Sequence, residues 1–486
     1  MGQSGLFHGR APGARLILSL LVLVLLLAVN AHAEQLGAVA AGDGLTRNLN
    51  LAWVLLAGFL VMFMQLGFAL LETGLTRAKN AVNTMAMNLM IYPVGLIGFW
   101  LTGYGFMMGG IRQWPSLGAF GLPHRELSVR LGEHLFGLIG LSKFGLLGVT
   151  DQPGSLAMFL FATVFMGIAA TIPTGAMAER WKFSAFMLYG FFMSMFLYPL
   201  YGNWVWGGGW LSQLGVNFGL GHGQVDFGGS SVVNLTGGLT ALAGAMVLGP
   251  RIGKFRRDGA IGLLAGHNLP LAMSGTLILG FGWFGLNAGS TLAASDPRIG
   301  LIAVNTMLAS GAGSLTAIFY LQQRYNRPDV AMACHGLLGG LVAITASCAF
   351  VSPASALLIG IIAGLLVVGS VLALERRFRI DDPAGSIPVH AVCGLWGAIA
   401  LGIFANGSYG DGWNGVGGPV RGLIAGDPGQ LVAQLIGVAV NAIVTFTLAL
   451  AFFVLVDRTI GNRVPAEVEW TGLDSLEMGS EAYPNV

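Results

Sequence analysis

The sequence predicts an all-α polytopic membrane protein with eleven transmembrane helices, arranged as an inverted repeat of five helices plus five with an eleventh helix left over. The composition is 55% hydrophobic and only 9% charged, with a mean hydropathy of +0.73, whereas soluble domains carry about 25% charged residues. The 76 glycines suit helices that pack closely in lipid. Two apolar stretches half a chain apart begin with the same residue pattern, which is typical of inverted repeats.

The N-terminal residues have the features of a cleavable signal peptide. Arg10 and Arg15 precede the apolar run 16–29 and the cleavage pattern AHA that ends at Ala33. An uncleaved first span is the alternative, but the run is short for one because a transmembrane helix needs about 20 apolar residues. The predicted division is a signal peptide at 1–33, a membrane domain at 34–456 and a cytoplasmic C-terminal tail at 457–486.

Eleven apolar stretches follow the signal peptide, each long enough to be a membrane span. The predicted spans lie at about 50–71, 86–109, 155–178, 182–204, 228–249, 268–290, 300–321, 330–351, 354–374, 388–405 and 430–456.

The charges agree with this topology. Cleavage of the signal peptide leaves the N-terminus on the periplasmic side of a bacterial inner membrane, and eleven crossings then put the C-terminus in the cytoplasm. The predicted inner loops and tail hold fifteen Lys and Arg residues, and the predicted outer segments hold seven. This distribution satisfies the positive-inside rule.

The long predicted outer loop, 110–154, contains a partly apolar stretch that is not counted as a span. Glu133, His134 and Lys143 make it unsuitable for crossing the bilayer. We expect an interfacial or re-entrant helix there.

The repeated pattern places one polar side chain in each copy. One copy, DFGGSSVVNLTGGL, begins at Asp226, and the other, DPAGSIPVHAVCGL, begins at Asp382. Eight residues after each aspartate, about two helical turns, stand Asn234 and His390. The topology makes the two copies antiparallel, and each aspartate is expected to cap the helix that it opens. The shared residues are Gly229/Gly385, Ser230/Ser386, Val233/Val389, Gly238/Gly394 and Leu239/Leu395.

Several function classes have no support in the sequence. A net charge of +2 gives no reason to expect a nucleic acid as partner. Cys334, Cys348 and Cys393 have no metal-ligand spacing and are expected to be buried structural thiols. Because there is also no nucleophile–base pair, phosphate loop or metal cluster, we predict neither an enzyme nor a cofactor.

Matching stretches along nearly the whole chain are similar to one family. They are GFALLETGLTRAKN (67–80), GAMAERWKFSAF (175–186), NWVWGGGW (203–210), DFGG (226–229), GHNLP (266–270), GWFGLNAGS (282–290), DDPAGSIPVHAVCG (381–394) and RVPAEVEWTGLDSLEMGSEAY (463–483). With these stretches in this order, the chain resembles the Amt/MEP/Rh ammonium transporter superfamily, and within it the bacterial Amt branch. The resemblance implies a homotrimer in the lipid bilayer in which each subunit has its own narrow pore for ammonium or a small methylated amine.

The resemblance also implies an outer recruitment site at Phe165, Trp206 and Ser290. Aromatic faces attract a small cation, and a hydroxyl adds a hydrogen bond. Asp226 is implied to support this site without being a direct ligand, because a nearby carboxylate favours a cation.

The chain departs from the family at two pore positions. The family closes its entrance with a stacked pair of phenylalanines, and Leu286 stands in place of the second, so Phe165 is expected to lack its partner and the gate to be wider. Phe161 is a further candidate gate residue. The first of the family's twin histidines is replaced by Asn234, while the second remains as His390. Asparagine cannot take up and release a proton near neutral pH, as histidine can.

His335, in the eighth span, is an ionisable residue inside the membrane and outside the family motifs. A structural histidine is one interpretation, and a replacement proton acceptor on the inner side of the pore is the other. The tail, with Gly472, Leu473 and Asp474, resembles the family's cytoplasmic region that supports block by a PII-type regulator. Met478 stands where the family often has histidine.

These observations predict an Amt-type ammonium transporter with an Asn–His pair in place of the twin histidines. The alternative is an ammonium-sensing receptor that binds at Phe165, Trp206 and Ser290 but conducts poorly. The predicted tail of about thirty residues contains no output domain, which is against the receptor.

Overall fold

A computed structural model describes residues 41–483 of the chain. Within them, ten helices are long and apolar enough to cross a membrane, and a shorter apolar helix stands where the eighth span was predicted. The predicted eleven spans are therefore accounted for, whereas the predicted signal peptide lies outside the described residues. Numbered 1 to 11, the spans are Gly44–Leu75, Ala78–Met108, Pro153–Met177, Phe183–Val205, Ser230–Leu248, Leu269–Gly289, Ile299–Tyr325, Val330–Ile344, Pro353–Phe378, Ile387–Phe404 and Pro428–Thr459.

Several spans contain a π-helical turn, and short helices lie between or after the spans. The π-helical turns are Phe99–Gly103, Met193–Leu197, Ser230–Leu235, Leu374–Phe378 and Ile387–Val392. The short helices are Pro115–Leu117, Phe144–Leu146, Leu214–Phe218, Leu423–Ala425, Ala466–Thr471 and Leu473–Glu477.

The loops divide between two faces. We call the face with residues 109–152 and 405–427 the outer face, and the face with the residues after Thr459 the inner face, following the charge-based prediction. Four loops of the inner face are joined by ion pairs. Arg251 donates to Glu179 and to Asp381, each at 2.8 Å, and Arg77 also pairs with Glu179.

This charged cluster is buried, and its cations and anions compensate one another. Burial alone would raise the pKa of Asp381, but Arg180 and Arg251 hold that pKa well below its usual range. Burying an ion pair costs free energy because both charges lose their hydration. Close, hydrogen-bonded partners of opposite charge compensate for that loss. The cluster fixes the inner loops relative to one another.

The outer loop between spans 2 and 3 differs from the prediction. Instead of an interfacial or re-entrant helix, it contains a β-hairpin of β1, Glu126–Leu131, and β2, His134–Gly140. Leu131 pairs with His134, which leaves a two-residue turn in which Gly132 has φ +64°. Glycine suits such a turn because it adopts positive φ without a steric penalty.

The inverted repeat is visible in the packing of spans 5 and 10. A Cβ atom on Gly238 would lie 2.2 Å from the Ala391 nitrogen, and one on Gly394 would lie 2.8 Å from the Leu235 nitrogen. Ala391 is the repeat counterpart of Leu235, so the two contacts are the same contact seen from each copy. The spans cross where both copies have glycine.

Spans 1 and 6 show the same reciprocity, which was not predicted from the sequence. Gly67 lies against the Gly275 carbonyl and Leu279, whereas Gly282 lies against the Leu60 carbonyl and Met64. These contacts align GFALLETG (67–74) with GWFGLNAG (282–289), so that the first and last glycines of each stretch are counterparts.

The two paired aspartates cap their helices as predicted. The Asp226 carboxylate accepts hydrogen bonds from the backbone of Gly229, Ser231 and Val232 at 2.8–3.1 Å. The Asp382 carboxylate accepts from Ser386 and Ile387 at 3.1 and 2.7 Å. These bonds satisfy amide groups that the first helical turn leaves without partners.

Each of these helices begins with a π-helical turn that contains the polar residue of its copy. Asn234 lies in the turn Ser230–Leu235 and His390 in the turn Ile387–Val392. Such wide turns occur frequently at functional sites. The three cysteines, as predicted, are buried and free: Cys334, Cys348 and Cys393.

The residues after Thr459 pack on the inner face through acidic side chains. The Asp474 carboxylate accepts from the backbone of Val82 and Asn83 at 3.0 and 2.8 Å. Glu477 accepts from the backbone of Phe183 at 2.8 Å. The tail therefore caps the beginnings of spans 2 and 4.

Candidate functional site

An aromatic cavity of about 200 Å³ opens on the outer face. It has room for several molecules of water size, which occupy about 30 Å³ each in the liquid. Phe161, Phe165, Trp206 and Ser290, from spans 3, 4 and 6 or their ends, all line it. Several residues that were not predicted from the sequence complete the lining, and none of them is a polar or charged residue of a quoted motif: Met108, Trp114, Met158, Ala162, Val205, Phe227, Leu292, Trp413 and Asn414.

Asp226 supports this cavity without facing it. Its backbone carbonyl accepts a hydrogen bond from Trp206 Nε1 at 2.6 Å, while its carboxylate caps span 5. The capped helix therefore fixes the orientation of the Trp206 ring. Burial raises the pKa of Asp226 to about 6, and the backbone amides that it binds limit the rise.

Ser290 presents an acceptor to the cavity. Its hydroxyl donates to the Leu286 carbonyl at 2.7 Å, so the oxygen lone pairs are the groups left for a ligand. The indole ring of Trp206 lines the same cavity. A small cation with N–H donors is the ligand that this combination of acceptor and aromatic faces suits.

Two aromatic rings of span 3 line the cavity next to each other. The centroids of Phe161 and Phe165 are 4.6 Å apart, and the Phe165 ring also contacts Trp206 at 5.8 Å. Leu286 is fully buried and is not among the residues that line the cavity. Phe165 therefore has an aromatic neighbour on the same helix, and the wider gate expected from Leu286 stays a prediction.

Asn234 and His390 meet where spans 5 and 10 cross. His390 Nδ1 lies 2.8 Å from Asn234 Oδ1, and Asn234 Nδ2 donates to the Gly229 carbonyl at 2.9 Å. The second bond fixes the amide so that its oxygen faces the imidazole. His390 must then carry its proton on Nδ1, which leaves Nε2 as the basic atom.

Gly229 connects this pair to the outer cavity. Its carbonyl accepts from Asn234, and a Cβ atom on Gly229 would lie 3.1 Å from the Trp206 ring. With φ +103°, the position also requires a backbone conformation that glycine adopts readily. The aromatic site and the polar pair are therefore adjacent.

A second, small cavity lies on the inner side of His390. No residue lines both cavities. Its lining is mostly apolar, with one carboxyl, one hydroxyl and the imidazole: Phe68, Leu71, Glu72, Leu338, Ala384, Gly385, Ser386, Val389 and His390.

His335 lies beside this inner cavity. The side chain is buried, and within residues 41–483 neither ring nitrogen has a hydrogen-bond partner. A Cβ atom on Gly385 would lie 2.7 Å from the His335 ring, and Gly385 lines the cavity. The position of His335 agrees with the interpretation that it reaches the inner side of the pore. Its role as a proton acceptor stays a prediction.

The repeat also relates His335 to the outer aromatic pair. Gly175 of span 3 lies against Ala384, and Thr345 after span 8 accepts a hydrogen bond from the backbone of Gly228, the counterpart of Ala384. Gly175 and Thr345 are therefore counterparts. Phe165 stands ten residues before Gly175, and His335 stands ten residues before Thr345. The two side chains are therefore counterparts in the repeat, with the aromatic ring on the outer side and the imidazole on the inner side.

These features define a class of membrane protein: an eleven-span inverted repeat with an aromatic cavity on its outer face and a buried Asn–His pair where the two halves of the repeat cross. The model of the Ammonium Transporter Family matches residues 52–483. The chain belongs to this family.

Individual relatives extend over most of the chain. It is 44% identical over 467 residues to the ammonium transporter Amt2 of Archaeoglobus fulgidus, covering 96% of this chain and 94% of the relative. It is 36% identical over 430 residues to ammonium transporter 1 member 2 of Arabidopsis thaliana, covering 84% and 79%. These relatives are named as transporters and not as enzymes.

Solved structures show the same architecture. A protein called Sensor Amt Protein has a TM-score of 0.77 at 34% identity, covering 89% of this chain and 98% of that one. Mep2 of Candida albicans has a TM-score of 0.73 at 26% identity, covering 86% and 87%.

Proposed function

We propose that this protein is an Amt-type ammonium transporter of a bacterial inner membrane, which carries ammonium or methylammonium through an Asn–His pore. The observation that supports this most directly is the convergence of Phe165, Trp206 and Ser290 on one outer cavity. The adjacent Asn234–His390 hydrogen bond supplies the polar centre of the pathway.

Ammonium first binds in the outer cavity, between the face of Trp206 and the oxygen of Ser290. The ring and the hydroxyl replace part of its hydration, because both favour a small cation. To pass the Phe161–Phe165 pair, the ion must lose the rest of its hydration. An uncompensated charge in an apolar pore is costly in free energy. Transfer of a proton to His390 removes the charge from the moving species.

Asn234 limits how that proton moves. Its amide is held by Gly229 as an acceptor toward His390, so it neither takes the proton nor passes it on. His390 Nε2 is the atom that exchanges it. We therefore propose transport that is slower than through two coupled imidazoles.

We further propose the assembly and orientation that the family resemblance and the charges imply. The protein forms a homotrimer with a periplasmic N-terminus, generated by cleavage after residue 33, and a cytoplasmic C-terminus. Packing of the tail on the inner face, through Asp474 and Glu477, supports a regulatory role at the cytoplasmic mouth. A PII-type protein is the proposed partner.

The test is electrical recording from the purified protein on a solid-supported membrane. Steps of ammonium, methylammonium and potassium are applied at equal ionic strength. A transporter gives a sustained current with at least one amine and none with potassium. A response to neither amine would contradict both charge-carrying transport and binding in the outer cavity.

A second function, an ammonium-sensing receptor, has one specific observation in its favour. The structural relative called Sensor Amt Protein covers most of this chain, and Asn234 removes one proton-exchanging group from the pore. A receptor would show saturable ammonium binding in the outer cavity and only a brief binding transient on the supported membrane. Trp206→Ala would shift that transient to higher ammonium concentrations.

A further inference from the structure

Glu72 is a buried acidic residue in span 1 that the proposed mechanism does not use. Its side chain is 1% exposed, and it lines the inner cavity together with His390. A carboxyl group inside a membrane protein is costly to bury, so such groups usually serve a pathway or a specific partner.

The hydrogen bonds of Glu72 join three spans. Its Oε2 accepts from Asn88 Nδ2 in span 2 at 2.7 Å and from Thr174 Oγ1 in span 3 at 2.7 Å. A purely structural role would be to hold these spans together. That role needs an acceptor oxygen, and a neutral side chain also has one.

The other half of the repeat shows that the connection is made without a charge. Asn287 in span 6 is the counterpart of Glu72 in the aligned stretches GFALLETG and GWFGLNAG. Asn287 Nδ2 donates to Thr306 Oγ1 in span 7 at 2.9 Å, and Asn287 is fully buried. A neutral amide thus joins two spans at the outer position, while the inner position has a group that can also hold a proton.

The groups around Glu72 are few. His390 shares its cavity, and Asp382 is close enough to act on its charge. Tyr189, in span 4, is close enough to be influenced by the Glu72 charge, and His335 lies against Gly385 on the same cavity. None of these groups forms an ion pair with Glu72 in the described residues, so no fixed cation opposes the uptake of a proton by its carboxylate.

We propose that Glu72 is the inner proton acceptor of the pore, an inference that rests on the proposed transport of ammonium. An N–H proton of ammonium passes to the lone pair of His390 Nε2, which leaves neutral ammonia and an imidazolium. The imidazolium returns that proton, through a water molecule in the inner cavity, to the Glu72 carboxylate. Glu72, now a carboxylic acid, releases it to water at the inner face, where ammonia is protonated again.

Two substitutions separate proton transfer from helix connection. Glu72→Gln keeps an oxygen for Asn88 and Thr174 but cannot exchange a proton. Glu72→Asp keeps the acid but shortens the side chain, which weakens both bonds. Proton transfer predicts that the sustained ammonium current falls at least tenfold in Glu72→Gln and is partly retained in Glu72→Asp. A structural role predicts the reverse order, and that order would overturn the proposal.

The outer site provides the control for folding. The amplitude of the ammonium-binding transient and the thermal unfolding midpoint in detergent should be the same in Glu72→Gln and the natural protein. If both are unchanged and the current is also unchanged, Glu72 is not the acceptor.

Infrared difference spectroscopy distinguishes failure of this proposal from failure of transport. Addition of ammonium should produce the C=O stretch of a protonated carboxyl, absent in Glu72→Gln and shifted in Glu72→Asp. A natural protein without sustained current that still shows this band would refute transport but retain Glu72 as the acceptor. Sustained current without the band would refute the role of Glu72 and leave transport intact.

Discussion

Asn234 Oδ1 accepts the Nδ1 proton of His390 across 2.8 Å, at the point where the two halves of the repeat cross. Because Asn234 Nδ2 is bound to the Gly229 carbonyl, the amide cannot turn over without breaking that bond. The imidazole is therefore fixed in one tautomer, with Nε2 as its basic atom. The pair orients one proton carrier and does not form a chain of two.

Asn234→His should increase the ammonium-driven current by about tenfold or more, since a second imidazole adds a group that exchanges protons near neutral pH. The current of this variant should also acquire a pH dependence between about pH 5 and 8, because the unperturbed pKa of histidine is about 6.5. Recording on a solid-supported membrane measures both effects.

The opposite result has a defined meaning. If Asn234 instead provides a continuous polar path for intact cations, the natural protein passes potassium and Asn234→His restores selectivity. His335→Ala tests the remaining imidazole, and it should abolish the current if His335 carries the proton inward. Fast, ammonium-selective and electrogenic transport that survives both His335→Ala and His390→Ala would contradict any histidine relay.

The sequence predicted those features that depend on local pattern. Asp226 and Asp382 were recognised as helix caps because a carboxylate before a helix has one common use. The spans followed from length and hydropathy. The pairing of Asn234 with His390 was implied by the family resemblance, because the two residues stand at the positions of the family's twin histidines.

Other features could not be predicted because they depend on packing between distant elements. Phe161 was a gate candidate, but the residue that it contacts depends on side-chain directions on span 3. The alignment of Glu72 with Asn287 became visible only through the reciprocal contacts of Gly67 and Gly282. The β-hairpin was missed because its apolar residues suggested a membrane-surface helix, although Gly132 is a strong turn signal.

Trp206→Ala and Ser290→Ala should each weaken ammonium binding while leaving the fold intact. Loss of a cation–π face at a partly desolvated site costs on the order of 1–2 kcal/mol, or roughly 5- to 30-fold in affinity. Titration of the binding transient gives the affinity. Thr291→Ala is the matched control, because this neighbouring hydroxyl bonds to Ala288 and Ala293 and does not line the cavity. Equal affinities in all three variants would remove the assigned site.

Ammonium affinity should fall as the pH drops from 7 to 5. Burial raises the pKa of Asp226 to about 6, so the carboxylate is charged above this pH and becomes protonated below it. The charged form favours a nearby cation. It also accepts the amides of Gly229, Ser231 and Val232 more strongly, which holds the backbone carbonyl that binds Trp206, so both effects act in the same direction. The titration midpoint should lie near pH 6 and should disappear in Asp226→Asn. A midpoint that persists in that variant would assign the pH dependence to another group.

Selectivity at the gate should depend on Phe161 and not on Leu286. Phe161→Ala removes the ring that faces Phe165 at 4.6 Å, so methylammonium should enter with a smaller penalty relative to ammonium. Leu286→Phe should lower the thermal unfolding midpoint, because adding volume in a packed core costs about 1–3 kcal/mol. The ratio of methylammonium to ammonium currents is the measurement. Better discrimination in Leu286→Phe without loss of stability would show that Leu286 borders the pathway.

Asp474→Ala should release the tail from the inner face. The Asp474 carboxylate accepts from the backbone of Val82 and Asn83 at the beginning of span 2, and loss of such a cap costs about 0.5–2 kcal/mol. Limited proteolysis from the inner side should therefore cut the tail sooner than in the natural protein, with the spans still intact. Glu467→Ala is the control, since this tail carboxylate forms no ion pair or hydrogen bond in the described residues. Equal cleavage rates in the two variants would mean that other contacts, such as that of Glu477 with Phe183, are sufficient to hold the tail.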